Sequence, residues 1–364
     1  MSTEAQLPPL NEASLTEAPA PTPPGQAPPG PPPPGAQAPA GQTTRRRQYF
    51  AQSSLFILIA LFIVVFSALR PQEFANWGNF STILYANAVT AVVGLGALLP
   101  LLSGEVDISI GGVMGVSGVF VAWAFGKGWP LVPAVLVALA IGAFIGIVNA
   151  VLVVRVRLNS FISTLAMTTV LTGIATLITG GGSLYEGIPV SFNKLVNYSV
   201  LKLPLAVIYT LVLALVISYV TSRTAFGRRL RATGAGRDAA ALIGIRTARY
   251  VALAFIIGGV VSAFGGVIET AELQSASPTV GSSFMLTAIA AVFLGSVLSR
   301  RSHLNVWGTL LAVLMLGIGI TGLTMVGAPA WVPDVFNGAA LIAALMLSGA
   351  GRSLAATAFG RTGG

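Results

Sequence analysis

The 364-residue chain contains no cysteine. A disulfide framework, a thiolate metal site and a cysteine nucleophile are therefore excluded. Its one histidine, His303, stands in a polar turn, so no multi-histidine metal site can be built. Charge is scarce too, with 11 acids and 20 bases making up 9% of the residues. No G-x-x-x-x-G-K-[ST] run is present, so a phosphate-gripping loop for a nucleotide is missing. An enzyme would be starved of parts. What fills the chain instead is apolar: 54% of residues are hydrophobic and the mean hydropathy is +0.84, outside the soluble range.

Apolar runs recur from about residue 50 onward, giving ten candidate spans at 50–69, 87–102, 113–125, 131–154, 161–179, 203–222, 250–268, 284–298, 305–325 and 334–348. Each is long enough, or nearly so, to cross a hydrocarbon core of ~30 Å. The expected fold is all-α: a polytopic helical membrane protein of about ten transmembrane helices. Ten spans also permit two inverted five-helix halves. Glycines lie within the spans, and the pairs Gly142/Gly146 and Gly111/Gly115 read as notches where helices pack closely.

The net charge of +9 reports orientation here rather than a nucleic-acid partner. If the chain starts inside and alternates, sixteen bases fall inside: Arg45–Arg47, Arg155, Arg157, seven between 223 and 249, Arg300, Arg301, Arg352 and Arg361. Only Arg70, Lys127, Lys194 and Lys202 fall outside. That split predicts cytoplasmic termini and an outward-facing 180–202 segment. Residues 70–86, with Phe74, Trp77, Phe80 and Tyr85 among polar neighbours, resemble an interfacial helix.

Residues 1–44 hold 13 of the 22 prolines and no aromatic residue, so they have nothing to bury. They predict a disordered, locally polyproline II-like cytoplasmic tail. The arginine triplet at 45–47 precedes the first span, and residues 351–364 form a second cytoplasmic tail.

Two segments break the apolar pattern. Between the second and third spans, Ser103-Gly104-Glu105-Val106-Asp107-Ile108-Ser109-Ile110-Gly111-Gly112 places two acids where a charge costs roughly 2.5–3.5 kcal/mol. Gly104, Glu105, Asp107, Ser109 and Gly111 either line a hydrophilic path through a broken helix, or cap two helix ends with Asp107 or Ser109 on free backbone N–H groups. No other acid sits deep in an expected span, which leaves a proton relay without a partner chain. The second segment, RTAFGRRLRATGAGRDAAALIGIRTAR at 223–249, carries seven bases and one acid, Asp238. Asp238 to Ile243 has helix formers, a capping Asp and a Gly244 stop. By itself the loop could simply obey the positive-inside bias.

Together these segments resemble the permease subunits of bacterial ABC importers, in the ribose-type sugar branch. Gly104 to Gly111 match that branch's G-[GE]-[IV]-D-[LI]-S-[VI]-G. Phe161-Ile162-Ser163-Thr164-Leu165 with Thr179-Gly180-Gly181 is similar to F-I-x-T-L…T-G-G, although Asn159, Ser160 and Ala166 depart from the usual prolines and glycine. Thr224, Phe226-Gly227-Arg228, Ala232, Gly234, Ala239-Ala240 and Gly244-Ile245 follow the family's loop pattern. Ala276 to Gly281 and Ala288 to Val292 resemble A-x-P-x-x-G and A-I-A-A-V, while Ser299 to His303 replace a usual glycine-rich turn.

The resemblance implies a permease domain over 45–350 in the bacterial inner membrane, moving a monosaccharide such as ribose, xylose or galactose. Permeases for nucleosides or branched-chain amino acids are the near alternatives, and an ion-coupled secondary transporter using Glu105 and Asp107 is the distant one. It further implies a permease homodimer, a cytoplasmic ATPase that uses ATP and Mg, and an extracytoplasmic solute-binding protein. This chain itself would bind no cofactor or metal. The 223–249 loop would couple to the ATPase, with Gly227 and Gly234 as turns, Arg228 as anchor and Ala239-Ala240 as the close-packed face.

Overall fold

The computed structural model describes the backbone of residues 42–297 and 304–348, and the side chains of 55–296 and 304–346. The proline-rich residues 1–41, the Ser299 to His303 turn and residues 351–364 lie outside the described residues. The chain divides into Met1–Arg45 and Arg46–Gly364, and all but the first turn of what is described belongs to the second.

The helices in chain order are α1 (Gln42–Leu69), α2 (Trp77–Ala86), α3 (Ala88–Leu102), α4 (Ile110–Gly126), α5 (Leu131–Ala150), α6 (Ser160–Thr179), α7 (Val190–Asn197), α8 (Leu205–Arg223), α9 (Ala225–Ala235), α10 (Arg237–Leu242), α11 (Thr247–Leu273), α12 (Val280–Val297), α13 (Val306–Met325) and α14 (Val332–Ser348). Five residues of wider π-helix, Val151–Arg155, extend α5. A two-residue hairpin pairs β1 (Ser199–Val200) with β2 (Leu203–Pro204). Helix starts follow local chemistry. Asn76 and Asn305 accept the N–H of the residue three positions on, at 2.8 and 2.6 Å. Pro130, Pro189 and Pro204 stand at the entries to α5, α7 and α8, where a missing N–H costs nothing.

Every one of the ten expected spans coincides with a helix. Among the described residues, five helices are long and apolar enough to cross a membrane alone: α5 with its extension, α6, α8, α11 and α13. α2 and α3 meet that test as one pair bent by 41°, and α1, α4, α12 and α14 contribute shorter apolar segments. The protein is an all-α polytopic membrane protein. One boundary needs correction. The seventh span does not stop at 268, because α11 runs on to Leu273 and carries Glu269 and Glu272 within it. Glu269 is buried one turn from the end of α11, so a buried acid besides Asp107 lies just past the expected end of that span.

The core is α3 and α11 crossing at glycines. Gly96 faces Ser262 and Gly258, while Gly142 and Gly146 of α5 face the backbone of Gly259 and Phe255. A methyl group at either α5 position would collide with main chain, so Gly142 and Gly146 are packing notches, as expected; of the other pair, Gly111 presses on the Gly281 backbone while Gly115 has room for a Cβ. The packing also repeats. α4 rests on α5 and α6 as α12 rests on α13 and α14, and α11 contacts α4 and α5 as α3 contacts α12 and α13. The two sets meet at α3 against α11 and α4 against α12. Ser109-Ile110-Gly111, entering α4, has its counterpart in Thr279-Val280-Gly281, entering α12, and the two glycines touch. Such exchange symmetry is what two related five-helix halves produce.

Loops assigned to one side of the membrane by charge meet one another. On the side assigned outward, Leu184 bridges Ala276, Ser81 Oγ donates to the Lys202 carbonyl, and Asn193 Nδ2 donates to Ala271 O at 3.0 Å. On the opposite side, 103–109, 155–159 and 223–249 converge.

Candidate functional site

The basic loop folds as two short helices. Thr224 caps α9 by accepting the Gly227 N–H at 3.4 Å. Gly227, Leu230 and Thr233 form its buried face, three residues apart, and Arg228, Arg229 and Arg231 take the remainder. Arg229 Nη1 donates to the Tyr250 hydroxyl at 3.0 Å, and the rings of Phe226 and Tyr250 lie 5.8 Å apart, fixing α9 to the start of α11. The Arg228 guanidinium reaches back to the Arg223 carbonyl at 3.3 Å.

α10 follows after Gly236, which occupies the cap position with no side-chain bond. Asp238 is therefore not a cap. It lies exposed in the first turn, where a negative charge favours the helix dipole. Gly244, with φ +82, ends the segment in the left-handed region as expected. The alanine face divides. Ala239 is exposed, but Ala240 is buried at 3% against the protein's own core. The apolar groups open to a partner are Leu242 and Ile243, 89% and 75% exposed at the tip of the loop.

The acidic motif is the stretch between α3 and α4. Gly104 takes φ +86, which only glycine adopts without strain, and this turns the chain out of α3. Asp107 is 3% exposed; its Oδ1 accepts the Ser109 N–H at 2.9 Å and the Ser109 hydroxyl at 2.6 Å. Asn149 of α5 donates in turn to Ser109 Oγ at 2.7 Å. Asp107 thus closes the turn ahead of α4 rather than capping the helix's own first N–H groups.

The extended backbone between the helices is satisfied by a row of hydroxyls on α6. Val106 N–H donates to Ser160 Oγ at 3.2 Å, Ile108 N–H donates to Thr164 Oγ1 at 3.0 Å, and Thr168 Oγ1 donates to the Ile108 carbonyl at 3.1 Å. Each unmade bond of this kind would cost about 1–3 kcal/mol in a buried place. Ser160, Thr164 and Thr168 recur every four residues, hence on one helix face. Ser160 and Thr164 stand in the sequence motif, but their role as partners of the 106–108 backbone, and Thr168 with them, is not signalled there beyond that spacing.

The acidic motif and the basic loop, far apart in sequence, meet in the structure. Gly234 of α9 sits on the end of α3, where a Cβ would overlap the Leu102 carbonyl and lie 3.0 Å from Gly104 N. Glu105 pairs with Arg237 at the start of α10. Beside this pair lies a polar cavity of about 530 Å³, lined in part by Arg157, Asn159, Ser160 and Thr247. Gly111 lies deeper, against Gly281 of α12. Among the described residues no cluster of three or more His, Asp or Glu could hold a metal ion.

With this geometry in hand, relatives place the chain. Residues 79–345 match the family described as branched-chain amino acid transport system / permease component. The D-allose transport system permease protein of Escherichia coli (strain K12) is 29% identical over 293 residues, covering 80% of this chain and 90% of that protein. The ribose import permease protein of Bacillus subtilis (strain 168) is 31% identical over 312 residues, covering 84% and 96%. The autoinducer 2 import system permease protein of Escherichia coli (strain SMS-3-5 / SECEC) is 30% identical over 305 residues, covering 82% and 91%. No solved structure matches the chain. A polytopic helical chain, matched over most of its length and over nearly the whole of each relative, belongs to the branched-chain amino acid transport system / permease component family, in the group of the ribose-type import permeases.

Proposed function

We propose that the chain is the membrane-spanning subunit of an ATP-driven importer for a monosaccharide or a similarly small polar solute. Three relatives named for allose, ribose and autoinducer 2 transport support that solute class. The observation that carries the coupling role is α10, a short helix with an exposed Leu242–Ile243 tip, joined through Arg237 to Glu105 in the break between α3 and α4. A soluble ATPase subunit would bind that tip from the cytoplasm, two copies of this chain would form the path, and a solute-binding protein would deliver cargo to the opposite face. ATP and Mg belong to the ATPase, since the chain carries no phosphate-gripping loop. The termini are then cytoplasmic, on the side of 103–109 and 223–249. Permeases for nucleosides or branched-chain amino acids are the nearest alternative reading, with a different cargo in the same kind of assembly. Purification from native membranes tests the proposal: an ATPase should accompany the chain, and uptake of one sugar among a panel of sugars, nucleosides and amino acids should require ATP.

A further inference from the structure

The Glu105–Arg237 pair is the only ion pair, among the described residues, that ties the 223–249 loop to another element. Its surroundings make it more than a surface contact. The Glu105 side chain is 13% exposed, so its charge is largely withdrawn from water, whereas Arg237 remains 42% exposed on the loop side. One turn away, Gly234 and Gly104 bring two backbones together with no side chain between them; a Cβ on Gly104 would lie 3.3 Å from Gly234 Cα. Directly after Glu105, Val106 and Ile108 are bonded to Ser160, Thr164 and Thr168 of α6. A continuous chain of short contacts therefore runs from α10 through Arg237, Glu105 and the extended strip to α6. α6 is also the least enclosed of the five full-length spans, with 22% of its apolar window buried against 67% for α11.

We propose that Glu105 and Arg237 form a transmission latch that makes the 103–109 break and α6 follow the coupling helix. Docking of the ATPase needs only the exposed face of α10; conversion of its movement into transport needs the latch. Gly234 sets the distance at which the pair can form, and the α6 hydroxyls carry the displacement onward. Glu105 and Arg237 are positioning residues, acting through α6 rather than on cargo. The latch rests on the proposed coupling role of α10.

The test uses the full complex of permease, ATPase and binding protein in proteoliposomes. Glu105→Gln, Arg237→Gln and the exchanged pair Glu105→Arg with Arg237→Glu are compared for bound ATPase, ATP hydrolysis and solute imported per ATP. Each single variant should retain its ATPase and hydrolyse ATP while importing severalfold less solute per ATP, up to about fivefold for the loss of a partly exposed charge pair. The exchanged pair should restore the ratio, which a merely structural or cargo-contacting glutamate would not do. Glu105→Gln keeps the size and hydrogen-bonding capacity of the side chain, so it separates coupling from folding. Unchanged import per ATP in both single variants overturns the latch. So does a loss that the exchanged pair leaves unrepaired. A wild-type chain that holds no ATPase overturns the subunit assignment itself, and the latch with it.

Discussion

Leu242 and Ile243 sit at the tip of α10 with almost nothing of their own protein against them. If this tip enters a groove on the ATPase, Leu242→Ala removes three buried carbons at about 0.8 kcal/mol each, or roughly 2.4 kcal/mol. At 1.4 kcal/mol per decade, that weakens docking about fiftyfold per copy. The permease itself should not notice, since exposed substitutions change stability by less than about 0.5 kcal/mol. Ala240 offers the contrast. Because it is buried within the chain, Ala240→Trp should overpack the permease and cost about 1–3 kcal/mol of its own stability. Titrating purified ATPase against permease in nanodiscs, with thermal unfolding of each variant alongside, separates the two effects. Binding by Leu242→Ala within about twofold of wild type, under ~0.5 kcal/mol, would refute the assignment of this tip as the docking face.

Asp107→Leu should destabilise the break by about 1–3 kcal/mol, because the Ser109 N–H and hydroxyl lose their acceptor; Asp107→Asn keeps one acceptor and should unfold at a temperature nearer wild type. Equal and complete loss of uptake in both would mean that the negative charge itself is required, as in an ion-coupled carrier. Thr164→Val strips the partner from the Ile108 N–H and should lower stability by about 1–3 kcal/mol, measured by thermal unfolding. Gly234→Val should lift α9 from the end of α3, reducing solute-stimulated ATP hydrolysis in the assembled complex. A single cysteine at Ser183, in a chain with none of its own, should react with an impermeant maleimide in intact spheroplasts. Reaction only after permeabilisation would reverse the orientation.

The spans were legible because long apolar runs have few other uses, and each of the ten met a helix. The end of α11 was not, since hydropathy falls at Glu269 and Glu272 while the helix continues through them. Three small elements divide in the same way. The aromatic-rich 70–86 segment gave α2, but α7 and the hairpin at 199–204 lack any comparable run. At the site, glycine and charge marked both segments, and Gly104 and Gly244 do turn the chain in the left-handed region; Gly227 and Gly234, expected as turns, lie instead inside α9, where they let its backbone pack against Thr221 and Leu102. Contact between the segments could not be read. Gly234 against Leu102, and Arg237 against Glu105, join residues more than a hundred positions apart whose meeting depends on how α3, α9 and α11 cross. Helix propensity likewise said nothing about which alanine of α10 turns inward.

Reconstitution most directly decides whether this chain is the channel of an ATP-driven importer. Permease purified with its bound ATPase is placed in liposomes, solute-binding protein is supplied outside, and ATP inside. The account predicts radiolabelled sugar accumulating only with ATP, binding protein and an intact α10, and ATP hydrolysis rising when loaded binding protein is added. Accumulation that follows an ion gradient, with no ATPase or ATP present, would contradict it.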